Sequence, residues 1–135
     1  MGLEERYNMT TDPDASGVRL ENLCPHPVTA MREDGTIFVL PTSRNPARIT
    51  VTPGPRVSDA NGVAIHGPPI YGQIVHLPQP EPGVIYVVSQ IVALALAARG
   101  ARRGDVVFPG SGPHDGPHRD HRGRILAVTR LVRTS

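Results

Sequence analysis

Val84-Ile85-Tyr86-Val87-Val88-Ser89-Gln90-Ile91-Val92-Ala93-Leu94-Ala95-Leu96-Ala97-Ala98-Arg99-Gly100 places a strand directly before a helix. Its first five residues are β-branched, aliphatic or aromatic and predict a buried strand. Ser89 is a natural N-cap, Gln90 to Arg99 predicts a helix, and Gly100 is its C′ stop. Apolar side chains surround this helix on nearly every side, which predicts the hub of a core or, alternatively, part of an oligomer interface. The apolar run from Val84 to Ala98 is shorter than the ~20 residues that cross a bilayer, so no membrane partner is expected.

On either side of this stretch the chain reads as short strands separated by turn chemistry. Val28–Met31 and Thr36–Leu40 flank Glu33-Asp34-Gly35, and Arg56–Ser58 and Val63–Ile65 flank Asn61-Gly62. Asp-Gly and Asn-Gly between apolar runs predict two hairpins. Ala47–Thr52 alternates like a half-buried strand, and Ile70–Leu77 predicts another, ended by Pro78, Pro80 and Pro82. Asp105–Phe108 and Arg124–Val132 predict two more strands around a Gly/Pro/His loop. The expected fold class is α+β: strand-rich, a mainly antiparallel sheet or partly open barrel, with one buried central helix. Residues 1–17 are polar and turn-rich and are expected to be a flexible tail, leaving 18–135 as a single domain.

Composition limits the function classes. Fifteen prolines and 14 glycines in 135 residues exclude a long-helix bundle, and a single cysteine, Cys24, excludes an intramolecular disulfide framework. Met1–Arg6 has no apolar h-region, so no secretory signal is expected and the cytoplasm is the expected location. All 14 basic residues are Arg. Residues 1–98 hold six Arg against nine acids, −3, and residues 99–135 eight against three, +5, which sum to the net +2. A basic C-terminal third attracts a polyanion or an anionic small molecule, and Arg grips phosphate or carboxylate through two parallel hydrogen bonds. Absence of Trp and a total of five Tyr and Phe argue against sequence-specific nucleic-acid binding.

The residues offer several pieces of chemistry. His114, His118 and His121, with Asp115 and Asp120, are the closest approach to a metal-ligand set, but Gly116 and Pro117 break the spacing that would converge them, and no metal is assigned. Ser111, His114 and Asp115 have hydrolase-triad types yet sit within one loop, without G-x-S-x-G. Cys24 and His26 share a face of an extended chain, which would allow a thiol–imidazole pair. Ser89 opens a helix whose N-terminal amides suit an anion.

Asn22-Leu23-Cys24-Pro25-His26-Pro27-Val28, Ala47-Arg48, Tyr71-Gly72, Leu77-Pro78-x-Pro80-x-x-Gly83-x-x-Tyr86-x-Val88-Ser89, Asp105-Val106-Val107-x-Pro109 and Arg119-Asp120-x-x-Gly123-Arg124-Ile125 occur in that order. The pattern resembles a functionally uncharacterised family of small bacterial, phage and prophage proteins. Cys24 departs from the small hydroxyl residue of that pattern. The resemblance implies a phage or mobile-element setting and supplies no activity.

The reading that follows is a non-enzymatic binding protein that sequesters a small anionic, nucleotide-like ligand or inhibits a host protein. Arg48, Tyr71, Tyr86, Ser89, Arg119 and Arg124 are its expected ligand contacts, Arg for phosphate or carboxylate and Tyr for stacking. No cofactor is expected, and a homo-oligomer is left open as a partner arrangement. The alternatives are a structural or assembly protein, and a metal-assisted hydrolase using the His-rich loop.

Overall fold

The run from Val84 divides as its composition predicts: a strand at Val84–Val87, then a helix, α1, at Gln90–Ala98 with Arg99 as C-cap and Gly100 at φ +73°. The structure is a computed structural model describing residues 16–135 and the backbone of Tyr7–Met9. In chain order the strands are β1 (Tyr7–Met9), β2 (Arg19–Asn22), β3 (Val28–Met31), β4 (Ile37–Leu40), β5 (Arg48–Thr52), β6 (Arg56–Ala60) and β7 (Val63–His66). They continue with β8 (Ile70–Val75), β9 (Val84–Val87), β10 (Val106–Pro109), β11 (His118–Arg119), β12 (Ile125–Ala127) and β13 (Leu131–Arg133).

The largest sheet has the order β13-β10-β9-β2. β2, β9 and β10 run parallel, with Leu20 opposite Ile85 and Val106 opposite Tyr86; β13 is antiparallel to β10. Five of the eight strand pairings among the described residues are antiparallel, in line with the expectation, but the parallel middle of the largest sheet is not, and the expected partly open barrel is absent. Antiparallel hairpins are present, β3–β4 and β6–β7 at the predicted turns, but none of the small sheets closes into a barrel. The reason is α1, which joins β9 to β10 as a crossover and returns the chain to the same end of the sheet, where only parallel pairing is possible.

β9 is covered on both faces, and alternation sends its side chains into two cores. Tyr86, Val88 and Val106 join Val92, Ala93 and Leu96 of α1, with Ile49 and Ile74 of β5 and β8 packed alongside. Val87 and Val107 point the other way, into Cys24, Val28, Ala30, Leu40 and Val128. The parallel sheet is therefore the middle layer, with α1 and the β5–β8 ribbon on one side and β3–β4 on the other.

Two further expectations change. α1 is half-buried rather than central: Val92, Ala93, Ala95 and Leu96 face the core, while Ile91 and Leu94 are 43% and 44% exposed. The strand expected over Arg124–Val132 is two, because Thr129 turns to donate to the carbonyls of Asp115 and Gly116 and Arg130 O accepts Gly110 N–H. The expected tail, residues 1–17, falls largely outside the described residues; within it, the backbone of Tyr7–Met9 pairs in parallel with Ile37–Val39. Among the described residues no helix is long and apolar enough to cross a membrane.

β6 and β7 form a two-stranded ribbon closed by Asn61 (φ +50°) and Gly62 (φ +80°), and every residue of both strands is exposed. Its neck is tight. A Cβ on Gly54 would lie 2.3 Å from Pro68 O, Gly67 N–H donates to Pro55 O, and His66 Nδ1–H donates to Gly54 O at 2.6 Å.

Candidate functional site

Where β2, β9 and β10 end, the chain opens a cleft of about 380 Å³. Because the three strands are parallel, the segments that follow them meet at one end of the sheet: Cys24–Pro27 after β2, Ser89 and Gln90 after β9, Pro109 and Ser111 around the end of β10. The fourth wall is β12 with Val128, which hydrogen-bonds Thr29 and Met31 at the start and end of β3. Carboxyl ends of parallel strands are where open α/β sheets bind ligands, since the loops and the helix N-terminus diverge there. The volume is in the range of small-molecule sites.

Each wall has a local cause. Asn22, almost fully buried, fixes the loop after β2: its amide donates to His26 O at 3.0 Å and to Leu40 O and Pro41 O at 3.2 Å, and its Oδ1 accepts Cys24 N–H at 2.9 Å. Ser89 holds the extended backbone of an N-cap, but its hydroxyl makes no capping bond, and the first turn contains no acid. Val92 and Ala93 N–H both reach Ser89 O, so Gln90 and Ile91 N–H are the helix-end donors without an intrahelical acceptor. The cleft is therefore lined by polar side chains (His26, Thr29, Ser89, Gln90, Ser111) and by aliphatic ones (Val28, Ile125, Leu126, Val128). Among the described lining residues there is no Arg, Asp or Glu, and His26 supplies an imidazole.

Of the expected contacts, the structure brings only Ser89 to this cleft. Arg48 lies opposite Val75 on the exposed face of the β5–β8 ribbon, and Tyr71, opposite Val51, lies on its half-buried face, so the two point apart. Tyr86 is 1% exposed in the core with its hydroxyl directed at Gln79 O, and burial raises its pKa above the ordinary phenol value; it has no face on which a ring could stack. Arg119 and Arg124 do meet, at the β11–β12 turn, where they are engaged: Arg119 Nη1 donates to Gly123 O at 2.7 Å and Arg124 Nε to Asp120 at 3.0 Å. The Arg119-Asp120-x-x-Gly123-Arg124 sequence is thus a self-locking turn. Asp120 accepts the backbone N–H of Arg122 and Arg124 through Oδ1, and these bonds, that from Arg124 foremost, hold its carboxyl below the usual carboxylate range.

No family model, curated protein or solved structure matches this chain.

The remaining candidates separate as well. Among the described residues no three His, Cys, Asp or Glu side chains come together as a metal-binding group, so His114, His118 and His121 do not converge. Cys24 and His26 are not a pair: the thiol is directed at Val87 O, burial pushes it up to about 11, and His26 Nδ1–H donates to Pro27 O. Asp115 does not orient His114, because its Oδ2 accepts Gly112 N–H. What sequence reasoning missed is the aliphatic wall. Its one available signal was the strand–Ser89–helix–strand order, which implies a parallel pair with a usable carboxyl end.

Proposed function

We propose that the protein is a non-enzymatic binding protein that captures a small ligand in the cleft beyond β2, β9 and β10, with an anionic or hydrogen-bond-accepting group of the ligand at Ser89. The observation that carries this reading is the cleft itself, a small-molecule-sized cavity at the carboxyl ends of parallel strands. The N-terminus of α1 supports it, because its amides and dipole favour negative charge.

Thermal-shift measurements with phosphate and a panel of small carboxylates test it. A true ligand at about 100 times its dissociation constant adds about 2.7 kcal/mol of stability. Ser89→Asp gives the cap a carboxylate, which favours the helix but repels an anion. The variant is expected to melt at or above the wild type and to lose the ligand shift. Equal ligand shifts in both proteins would remove Ser89 from the site, and no shift with any compound would overturn the reading.

A specific observation favours assembly as a second reading. The β6–β7 ribbon leaves Val57 and Val63 63% and 67% exposed, and Ile91 and Leu94 of α1 form another uncovered apolar strip. Light scattering at increasing concentration checks it: wild type forms a defined oligomer that Val57→Ser/Val63→Ser abolishes, whereas a monomer at all concentrations removes this reading.

A further inference from the structure

The lining of the cleft carries information about what it holds. Ile125 and Leu126 are 41% and 49% exposed on a two-stranded edge, and both line the cavity together with Val28 and Val128. Large aliphatic side chains left in water at the mouth of a cavity lose that exposure when an apolar group covers them. The polar lining side chains are His26, Thr29, Ser89, Gln90 and Ser111, the last three from the segments that follow β9 and β10. Ser89, Gln90 and Ser111 are neutral hydrogen-bonding groups and can satisfy one head group. A polyphosphate needs several cations, and the neighbouring guanidinium groups of Arg119 and Arg124 are engaged in their own turn.

We infer that the ligand is a small amphiphile: a short aliphatic body lying on Ile125, Leu126 and Val128, with a single polar or singly charged head at Ser89 and Ser111. This rests on the proposed binding role of the cleft and replaces the nucleotide-like ligand expected from the Arg content. The cavity volume suits a single small molecule and is far below what a protein segment of interface size would fill.

The test is nuclear magnetic resonance titration of the full chain with acetate, hexanoate, hexanamide, inorganic phosphate and ADP, following the amide signals of Gln90, Ser111 and Leu126. Hexanoate is expected to bind at least tenfold more tightly than acetate and to move all three signals. Ile125→Ser/Leu126→Ser alters two exposed positions, so the fold persists. This variant is expected to bring hexanoate down to the affinity of acetate. Acetate and hexanoate binding alike, or phosphate or ADP binding at these signals more tightly than hexanoate, would overturn the amphiphile while leaving a binding role for the cleft. Hexanamide equalling hexanoate would keep the apolar body and exclude an anionic head. No probe moving these signals would overturn both the amphiphile and the binding role.

Discussion

The side-chain oxygen of Asn22 accepts the backbone N–H of Cys24 at 2.9 Å, and this short link ties the end of β2 to the wall of the cleft. The same amide group bonds the carbonyls of His26, Leu40 and Pro41, so one buried side chain joins β2, β4 and the Cys24–Pro27 loop. Asn22→Ala leaves these buried groups without partners at about 1–3 kcal/mol each, less what water recovers. The expected result is a loss of about 2–4 kcal/mol in urea unfolding, with larger amide-exchange changes at residues 24–27 than at β6–β7. A loss below about 1 kcal/mol would show that the loop is held by something else.

Cys24 makes stability sensitive to alkali. Its folded pKa of about 11 is raised by burial, so the folded state favours the neutral thiol. A group raised in the folded state contributes fully below its unfolded value, and that contribution declines as pH rises through the folded one. Between about pH 8.5, where a free thiol ionises, and pH 11, about 2–3 kcal/mol is lost. Cys24→Ala is expected to flatten this alkaline slope, apart from the part due to Tyr86, which burial also raises. An unchanged slope between pH 8.5 and 11 would mean that the thiol ionises without unfolding.

Leu94 and Val92 reverse the order that sequence alone suggests. Leu94 stands mid-helix in an apolar run, where a carboxylate would be expected to be severe. Leu94 is 44% exposed, whereas Val92 is 1% exposed between α1 and the sheet. Leu94→Asp is expected to stay folded at a cost near 1 kcal/mol or less, and Val92→Asp to unfold the domain. Circular dichroism melts of both variants decide it; unfolding of Leu94→Asp alone would place the helix the other way round.

These contrasts show what was legible. Asp34-Gly35 and Asn61-Gly62 announced their hairpins because the turn demands those residues locally. The faces of α1 were hidden because a helix with Ile, Val, Leu and Ala all round has no periodicity from which to read an inside. The cleft was only partly visible: Ser89 stood out as a cap, while its neighbours Thr29, Ser111 and Leu126 come from segments far apart in sequence that only the parallel sheet brings together. Arg119 and Arg124 were legible as a cluster but not as a turn, since a guanidinium that binds a carbonyl looks the same in sequence as one that awaits phosphate.

Gly54 controls whether the β6–β7 ribbon is held. Its missing side chain admits Pro68 O and Gly67 O, which would lie 2.3 and 2.5 Å from an added Cβ. Both are backbone atoms and cannot rotate away. Gly54→Ala is therefore expected to open the neck and free the ribbon while the parallel sheet survives. Limited proteolysis checks this: cleavage within 56–66 is expected to quicken about tenfold or more, as an opening free energy reduced by about 1.4 kcal/mol implies. Unchanged cleavage would mean that the neck accommodates a methyl group.

Asp120 offers the sharpest test of whether Arg124 serves its own turn. The carboxyl is held low first by the backbone N–H of Arg124, and also by that of Arg122 and by the Arg124 side chain. A carboxylate depressed in the folded state stabilises above its unfolded pKa and loses that contribution as pH falls through the depressed value. Arg124→Ala removes the guanidinium but leaves both backbone donors, so the carboxyl is expected to rise only part of the way toward the ordinary value near 3.9. Arg122→Ala keeps its backbone N–H and is expected to leave the titration unchanged, because its side chain does not bond Asp120. Carbon-13 titration of Asp120 in the three proteins reads this directly. A full return to the ordinary value in Arg124→Ala would make the guanidinium the main partner of Asp120, and a wild-type value already ordinary would show that the turn is not locked in solution.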